Sequence, residues 1–459
     1  MTVLWTSSEI AEATSGVAEG EFEATGVAFD SREIGPGDLF VAMKGEATDG
    51  HRFVGQAYAA GAAGALVSEP IDRPHVRVED TFRALQDLGR AARIRGRAIV
   101  IGVTGSVGKT GVKEALFAAL DRAAPGRAHR SVKSYNNHTG VPLSLARMPR
   151  DAQFGVFEMG MNHQGELAAL TKIVRPHVAV VTAVAPAHRE FFADEEAIAD
   201  AKGEIFQGLE PGGTAIIPFD SPYRDRLAAA AAPHAERILS FGLGEGAEVR
   251  ATYAVRGSNG GTMATASLPG VQLSFTVGQP GDHWLSNALA VLAAVHAAGG
   301  DLAAAGLALA DLGGLPGRGA RRRVPLNGGE ALLIDESYNA NPASMAATLK
   351  MLGDEEVAGR RLAVLGAMRE LGSESEGFHA ALADPVRDAR VDYAILVGEE
   401  MAPLAKALGG QVKLAHVPDA AAATEIARKA IAPGDAMLVK GSNSIGLAAV
   451  VEALAGGKG

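Results

Sequence analysis

Cysteine is absent from all 459 residues, which excludes disulfides, thiolate nucleophiles and cysteine-ligated zinc or iron-sulfur sites. That absence fits a reducing compartment, and a cytoplasmic location is expected. No long apolar run is present: the longest, 288–298, is interrupted by His296 and is too short to span a bilayer. The first residues, MTVLWTSSEIAEATSG, lack a basic segment followed by an apolar one, so no signal peptide is expected. A long basic block is also missing and the net charge is −10, which leaves nothing to favour nucleic acid or an anionic membrane as partner. An anionic nucleotide would have to be held by local donors and metal rather than by a global field.

What remains is a globular composition, 47% hydrophobic and 21% charged, in a chain too long for one core. Two or three domains are expected. The chain is organised around IVIGVTGSVGKT, residues 99–110, where β-formers break into a glycine turn before a helical pattern. Strand, loop and helix start in that order let backbone N–H groups and the helix dipole cradle phosphate. The loop is Gly105, Ser106, Val107, Gly108, Lys109 and Thr110, shorter than the usual phosphate-loop pattern because Val103 stands where its first glycine would be. Lys109 is placed for the β and γ phosphates, and the Thr110 hydroxyl for a bridging Mg²⁺. An ordinary glycine-rich turn with an exposed lysine is the alternative.

Residues 1–96 alternate short β-like runs with helical ones and read as a small α/β domain. Within it Asp30, Ser31 and Arg32 follow one strand, and Lys44, Gly45 and Glu46 the next. Polar groups at strand ends can meet a charged ligand or can be solvated turns. From 97 onward β and α patterns alternate, with strands expected at 99–103, 154–157 and 178–184, which implies a doubly wound parallel sheet. Residues 236–277 read instead as an antiparallel β appendage. LGGLPGRG, residues 312–319, is a hinge candidate. Beyond it βα alternation resumes, with strands expected at 331–335, 362–366, 393–397, 412–415 and 437–439.

Glu158 and His188 fall at the same sheet edge as Thr110, where oxygen and imidazole donors could hold Mg²⁺. Glu158 could equally be a helix N-terminal carboxylate, and His188 a loop histidine. Lys202, in AKGEIF, would by default lie on the surface.

The set DSRE, GDLFVAMKGE, DGHRF, TGSVGKT, YNNHTGVPLSL, FEMGMNHQGE, AHRE, AKGEIF, GDHWLSNALA and DESYNANPASM resembles the Mur ligase family in content and order over nearly the whole chain. The resemblance implies three α/β domains: a UDP-sugar-binding unit at 1–96, a central ATP-binding unit at 97–315 and a Rossmann-like ligase unit at 316–459. It implies an ATP- and Mg²⁺-dependent carboxylate-amine ligase that phosphorylates the carboxylate first. Carried over by position, Lys109, His188, Lys202 and Arg318 are catalytic; Thr110, Glu158, His188 and Lys202 hold metal, Lys202 as a carbamate. Asn287 lies on the adenine side, Arg318 near the γ phosphate and Asp335 at the ribose. Asp30, Ser31, Arg32, Lys44, Asn136, Asn137, Tyr338 and Asn339 fall on the substrate side. Within the family, SYNANP resembles the member that adds D-alanyl-D-alanine to UDP-N-acetylmuramoyl-tripeptide; the Asp-Asn-Pro-Arg-type motif of the third-residue ligase is not found. A monomer is expected. Two departures stand out: Gly111 replaces a hydroxyl residue, and GAMRELG at 366–372 lacks one carboxylate of the family pattern. The readings left open are the third-residue ligase and, outside the family, a phosphate-loop regulatory ATPase.

Overall fold

The computed structural model describes residues 2–45, 48–186, 190–257 and 261–456. Strands too apolar to face water on either side build two large, mostly parallel sheets, and helices cover both faces of each. A smaller sheet lies in the first hundred residues. It is ordered Val17–Glu19, His75–Arg77, Gly64–Val67, Asp38–Val41, Gly26–Ala28, with only the first pair antiparallel. From it the helix Thr81–Arg95, capped by the Asp80 carboxylate on the Phe82 and Arg83 amides, leads into the central unit. Gly89 lets this helix approach closely: a Cβ there would lie 3.1 Å from the backbone of Pro142.

The central sheet has nine strands, with Ile99–Thr104 between Val178–Val181 and Phe154–Glu158. The chain leaves Ile99–Thr104 toward one side of the sheet and later returns on its other side. Its carboxyl end is therefore the switch point where a doubly wound sheet opens a crevice for ligand. The expected antiparallel appendage is partly different. Arg237–Gly242 pairs in parallel with Thr214–Pro218, because the helix Arg224–Ala231 supplies the crossover a parallel strand needs. Only Val249–Arg256, Thr262–Leu268 and Val271–Val277 run antiparallel to one another, and they continue the same sheet.

The last sheet is ordered Ala320–Leu326, Gly329–Glu336, Ala436–Lys440, Arg361–Gly366, Tyr393–Val397, Lys413–Val417, antiparallel only in its first pair. The expected strands of this unit all form. Ala320–Leu326 is an addition that three arginines and Pro325 disguise; as an edge strand it tolerates the proline.

Candidate active site

The phosphate loop is shaped by two glycines and fastened from outside. Gly105 (φ +149°) and Gly108 (φ +88°) occupy backbone conformations that side chains disfavour. A Cβ on Gly105 would lie 2.0 Å from Thr182 Oγ1. The Ser106 hydroxyl donates to the Ala185 carbonyl at 2.9 Å and accepts from the Ala185 amide at 3.0 Å, while Thr182 Oγ1 reaches the Val107 carbonyl at 2.5 Å. The helix Lys109–Ala123 starts with no side-chain cap, which leaves its first amides for an anion. Lys109 Nζ donates back to the Gly105 carbonyl at 2.6 Å. Burial holds its pKa below the usual lysine value, opposed by Glu158 and reinforced by Arg318.

Behind the loop, Thr110 Oγ1 donates to Glu158 Oε2 at 2.8 Å, and Asn136 Nδ2 donates to Glu158 Oε1 at 2.8 Å. Lys113 Nζ stands 3.9 Å from the same carboxylate and donates to the carbonyls of Ser131 and Lys133 at 3.2 and 2.8 Å. Glu158 ends the strand Phe154–Glu158 and is 1% exposed, so it is not the helix-start carboxylate that spacing equally allowed. Nor is Lys202 a surface lysine. It is 2% exposed at the end of the helix Glu195–Gly203, lines the same cavity, and has no side-chain hydrogen bond or ion pair to the described residues. Burial first, and then Lys109, push its pKa well below the ordinary lysine value. His188 lies outside the described residues. The donors suit magnesium: a hydroxyl and a carboxylate oxygen side by side, both hard, with room for phosphate oxygens and water in the remaining octahedral positions.

Across a cavity of about 540 Å³ the far wall comes from the last sheet and the hinge: Gly317, Arg318, Glu336, Tyr338, Asn339 and Lys440. The Arg318 guanidinium lies 4.1 Å over the Tyr338 ring. Asn287, on the near wall, sits against Gly108, where a Cβ would come 2.8 Å from its Oδ1. Lys440 Nζ donates to the Asn339 carbonyl at 2.9 Å and stands 3.6 Å from Glu336 Oε2. Asp335 differs from expectation. It is 3% exposed and does not line the cavity; its carboxylate accepts from the Gly317 amide at 2.7 Å and from the Ser337 hydroxyl and amide at 2.6 and 3.2 Å.

Several substrate-side residues lie elsewhere. Arg32 grips Asp30 through Nε and Nη2, which lowers the Asp30 carboxyl to about 2, and the Ser31 hydroxyl donates to Gln56 at 3.2 Å. Lys44 is exposed in its own turn. Asn137 is a local brace, its Oδ1 accepting from the Thr139 and Gly140 amides. Of the substrate-side set, Asn136, Tyr338 and Asn339 reach the cavity with the phosphate loop. Glu336, Lys440 and His283 were not singled out from the sequence. Lys440 closes an apolar strand, Ala436–Lys440, just before Gly441, and a lysine at the carboxyl end of a buried strand is a local signal that could have identified it.

Comparison with known proteins gives matches along the chain to the Mur ligase middle domain (residues 103–295), to the Mur ligase glutamate ligase domain (322–443) and to the Mur ligase family catalytic domain (23–93). The UDP-N-acetylmuramoyl-tripeptide–D-alanyl-D-alanine ligase of Escherichia coli K12 is 36% identical over 98% of both chains. Among solved structures, a MurF of Acinetobacter baumannii aligns at a TM-score of 0.85 with 32% identity, over 98% of this chain and 99% of that one. A MurF ligase from Thermotoga maritima in complex with ADP aligns at 0.77 with 27% identity, over 94% and 97%.

Proposed function

The chain belongs to the Mur ligase family, and on that premise we propose how its residues divide the work. It is an ATP-dependent ligase of peptidoglycan precursor synthesis that joins D-alanyl-D-alanine to UDP-N-acetylmuramoyl-tripeptide. A carboxylate does not condense with an amine in water because its oxygen is a poor leaving group; phosphorylation by ATP makes it a good one. In our reading the tripeptide carboxylate attacks the γ phosphorus in line while Lys109 and Arg318 neutralise charge on the transferring group. The dipeptide amine then attacks the acyl phosphate and phosphate leaves.

Magnesium would be held by Thr110 and Glu158, with His188 and a carbamate on Lys202 as further ligands, and would supply charge neutralisation between the β and γ phosphates. Asn287 takes the adenine side. Asp335 acts by holding the hinge turn, through Gly317 and Ser337, that carries Arg318. Residues 1–96 bind the UDP sugar, 97–315 ATP and 316–459 the dipeptide, in a cytoplasmic monomer. No helix among the described residues is long and apolar enough to cross a membrane.

The observation that carries this reading is one cavity with the phosphate loop on its near wall and Arg318, Glu336, Tyr338 and Lys440 on its far wall. Phosphate release, measured with the UDP-tripeptide and each amino component in turn, tests it. Release should require D-alanyl-D-alanine; equal release with single amino acids, or without the UDP-peptide, would overturn the assignment.

A further inference from the structure

An α-amino group has a pKa near 8, so at neutral pH the incoming dipeptide arrives mostly as an ammonium with no lone pair to attack. Some group at the reacting end must take its proton. Among the described residues two carboxylates line the cavity, Glu158 and Glu336. Both oxygens of Glu158 already accept hydrogen bonds, from Thr110 and Asn136. The Glu336 carboxylate is different: among the described residues its one close partner is the Lys440 ammonium, whose Nζ is 3.6 Å from Oε2. Beside Oε1 stands Gly319, where a Cβ would lie 3.4 Å away, so the missing side chain leaves that oxygen approachable.

We propose that Glu336 is the base that accepts the ammonium proton of the dipeptide, with Lys440 fixing the carboxylate as a positioning residue. The inference rests on the ligase reading above. In the step, an N–H bond of the ammonium breaks and its proton passes to a Glu336 oxygen. The freed lone pair forms the C–N bond at the acyl phosphate carbon, and the carbonyl π pair moves onto oxygen. That pair returns as the C–O bond to phosphate breaks, and the nitrogen's second proton goes with the departing phosphate. Sites and charges around Glu336 suit the role. Burial raises its pKa, Lys440 and Arg318 pull it down, and Asp335 on its own strand pushes it up. The raised value brings the carboxylate closer to the amine it must deprotonate while leaving it an acceptor. Across the cleft His283 stays neutral, its pKa lowered to about 4 by burial and by Lys440, so it adds no competing charge.

Glu336→Gln in the full chain, assayed with two nucleophiles, separates this role from a structural one. Hydroxylamine is already neutral at pH 7 and traps an acyl phosphate without a base. The variant should lose dipeptide ligation by about 100-fold at pH 7, yet form hydroxamate within about threefold of the wild type. Its deficit should shrink as pH rises past about 8, where the dipeptide deprotonates unaided. Equal loss with both nucleophiles, a deficit independent of pH, or no deficit would overturn the proposal. If the wild type itself forms hydroxamate but no dipeptide product, the ligase reading fails instead.

Discussion

Lys202 is the residue whose surroundings most contradict its chemical type. An ammonium with no hydrogen-bond acceptor among the described residues, 2% exposed and repelled by Lys109, is strongly disfavoured. The neutral amine is therefore the accessible form, and a neutral amine is the species that adds to CO₂. Carbamylation would turn a repelled cation into an anion with two hard oxygens in the cavity that Glu158 also lines. Protein equilibrated with ¹³C-bicarbonate should show a carbamate carbon resonance that is missing from Lys202→Arg; identical spectra would remove Lys202 from the metal set. Composition and periodicity could not have found this lysine, because AIADAKGEIF reads as an ordinary amphipathic helix and only the family resemblance marked it. Thr110 was legible from its own loop, since the signal is local. Glu336 and Lys440 were not, because they meet only when two strands distant in sequence pair in parallel.

At the scale of elements, the phosphate loop was readable because each of its parts is enforced by backbone geometry. Gly108 combines a φ of +88° with a Cβ position 2.8 Å from Asn287 Oδ1. Alanine there carries a strain of about 1–3 kcal/mol and pushes the proposed adenine-side asparagine. Gly108→Ala should weaken ADP binding, read by titration calorimetry, by about tenfold or more. Gly126→Ala is the control: φ is +73° but nothing lies within 4 Å of the added carbon, so stability falls and ADP affinity does not. Equal affinity in both variants would detach the loop from the nucleotide. Strands with continuous apolar runs, such as Ile99–Thr104, declared themselves in the same local way. Ala320–Leu326 did not, because three consecutive arginines break its alternation at a sheet edge and only Ala320 and Val324 are buried. The parallel course of Arg237–Gly242 was hidden too, since direction is set by the crossover helix and not by the strand.

For the whole molecule, the net charge of −10 is reversed locally: Lys109, Arg318 and Lys440 line the cavity against Glu158 and Glu336. Two of those three cations belong to a unit that is held loosely. The first unit is locked to the central one. Trp5 Nε1 donates to the Ala146 carbonyl at 2.9 Å, Arg93 binds the Val174 and Arg175 carbonyls, and Leu143 and Ala146 join the core of Leu4, Trp5 and Leu88. Toward the last unit the core clusters do not cross among the described residues, and the contacts there include the Glu190 amide donating to the Glu370 carbonyl at 3.2 Å and two exposed ion pairs, Arg256 with Asp354 at 3.5 Å and Lys350 with Asp282 at 3.4 Å. Such pairs contribute about 0–1 kcal/mol each and are screened by salt, too little to fix an orientation. A nucleotide touching both Lys109 and Arg318 can therefore select the arrangement that brings them together. The absence of cysteine lets this be measured without removing native thiols. Dyes on Asp225→Cys and Glu425→Cys should change transfer efficiency when an ATP analogue and the UDP-peptide bind. Dyes on Glu12→Cys and Asp225→Cys should not. No shift in either pair would mean that the three units move as one, and the hinge at Gly317 would then have no part in assembling the site.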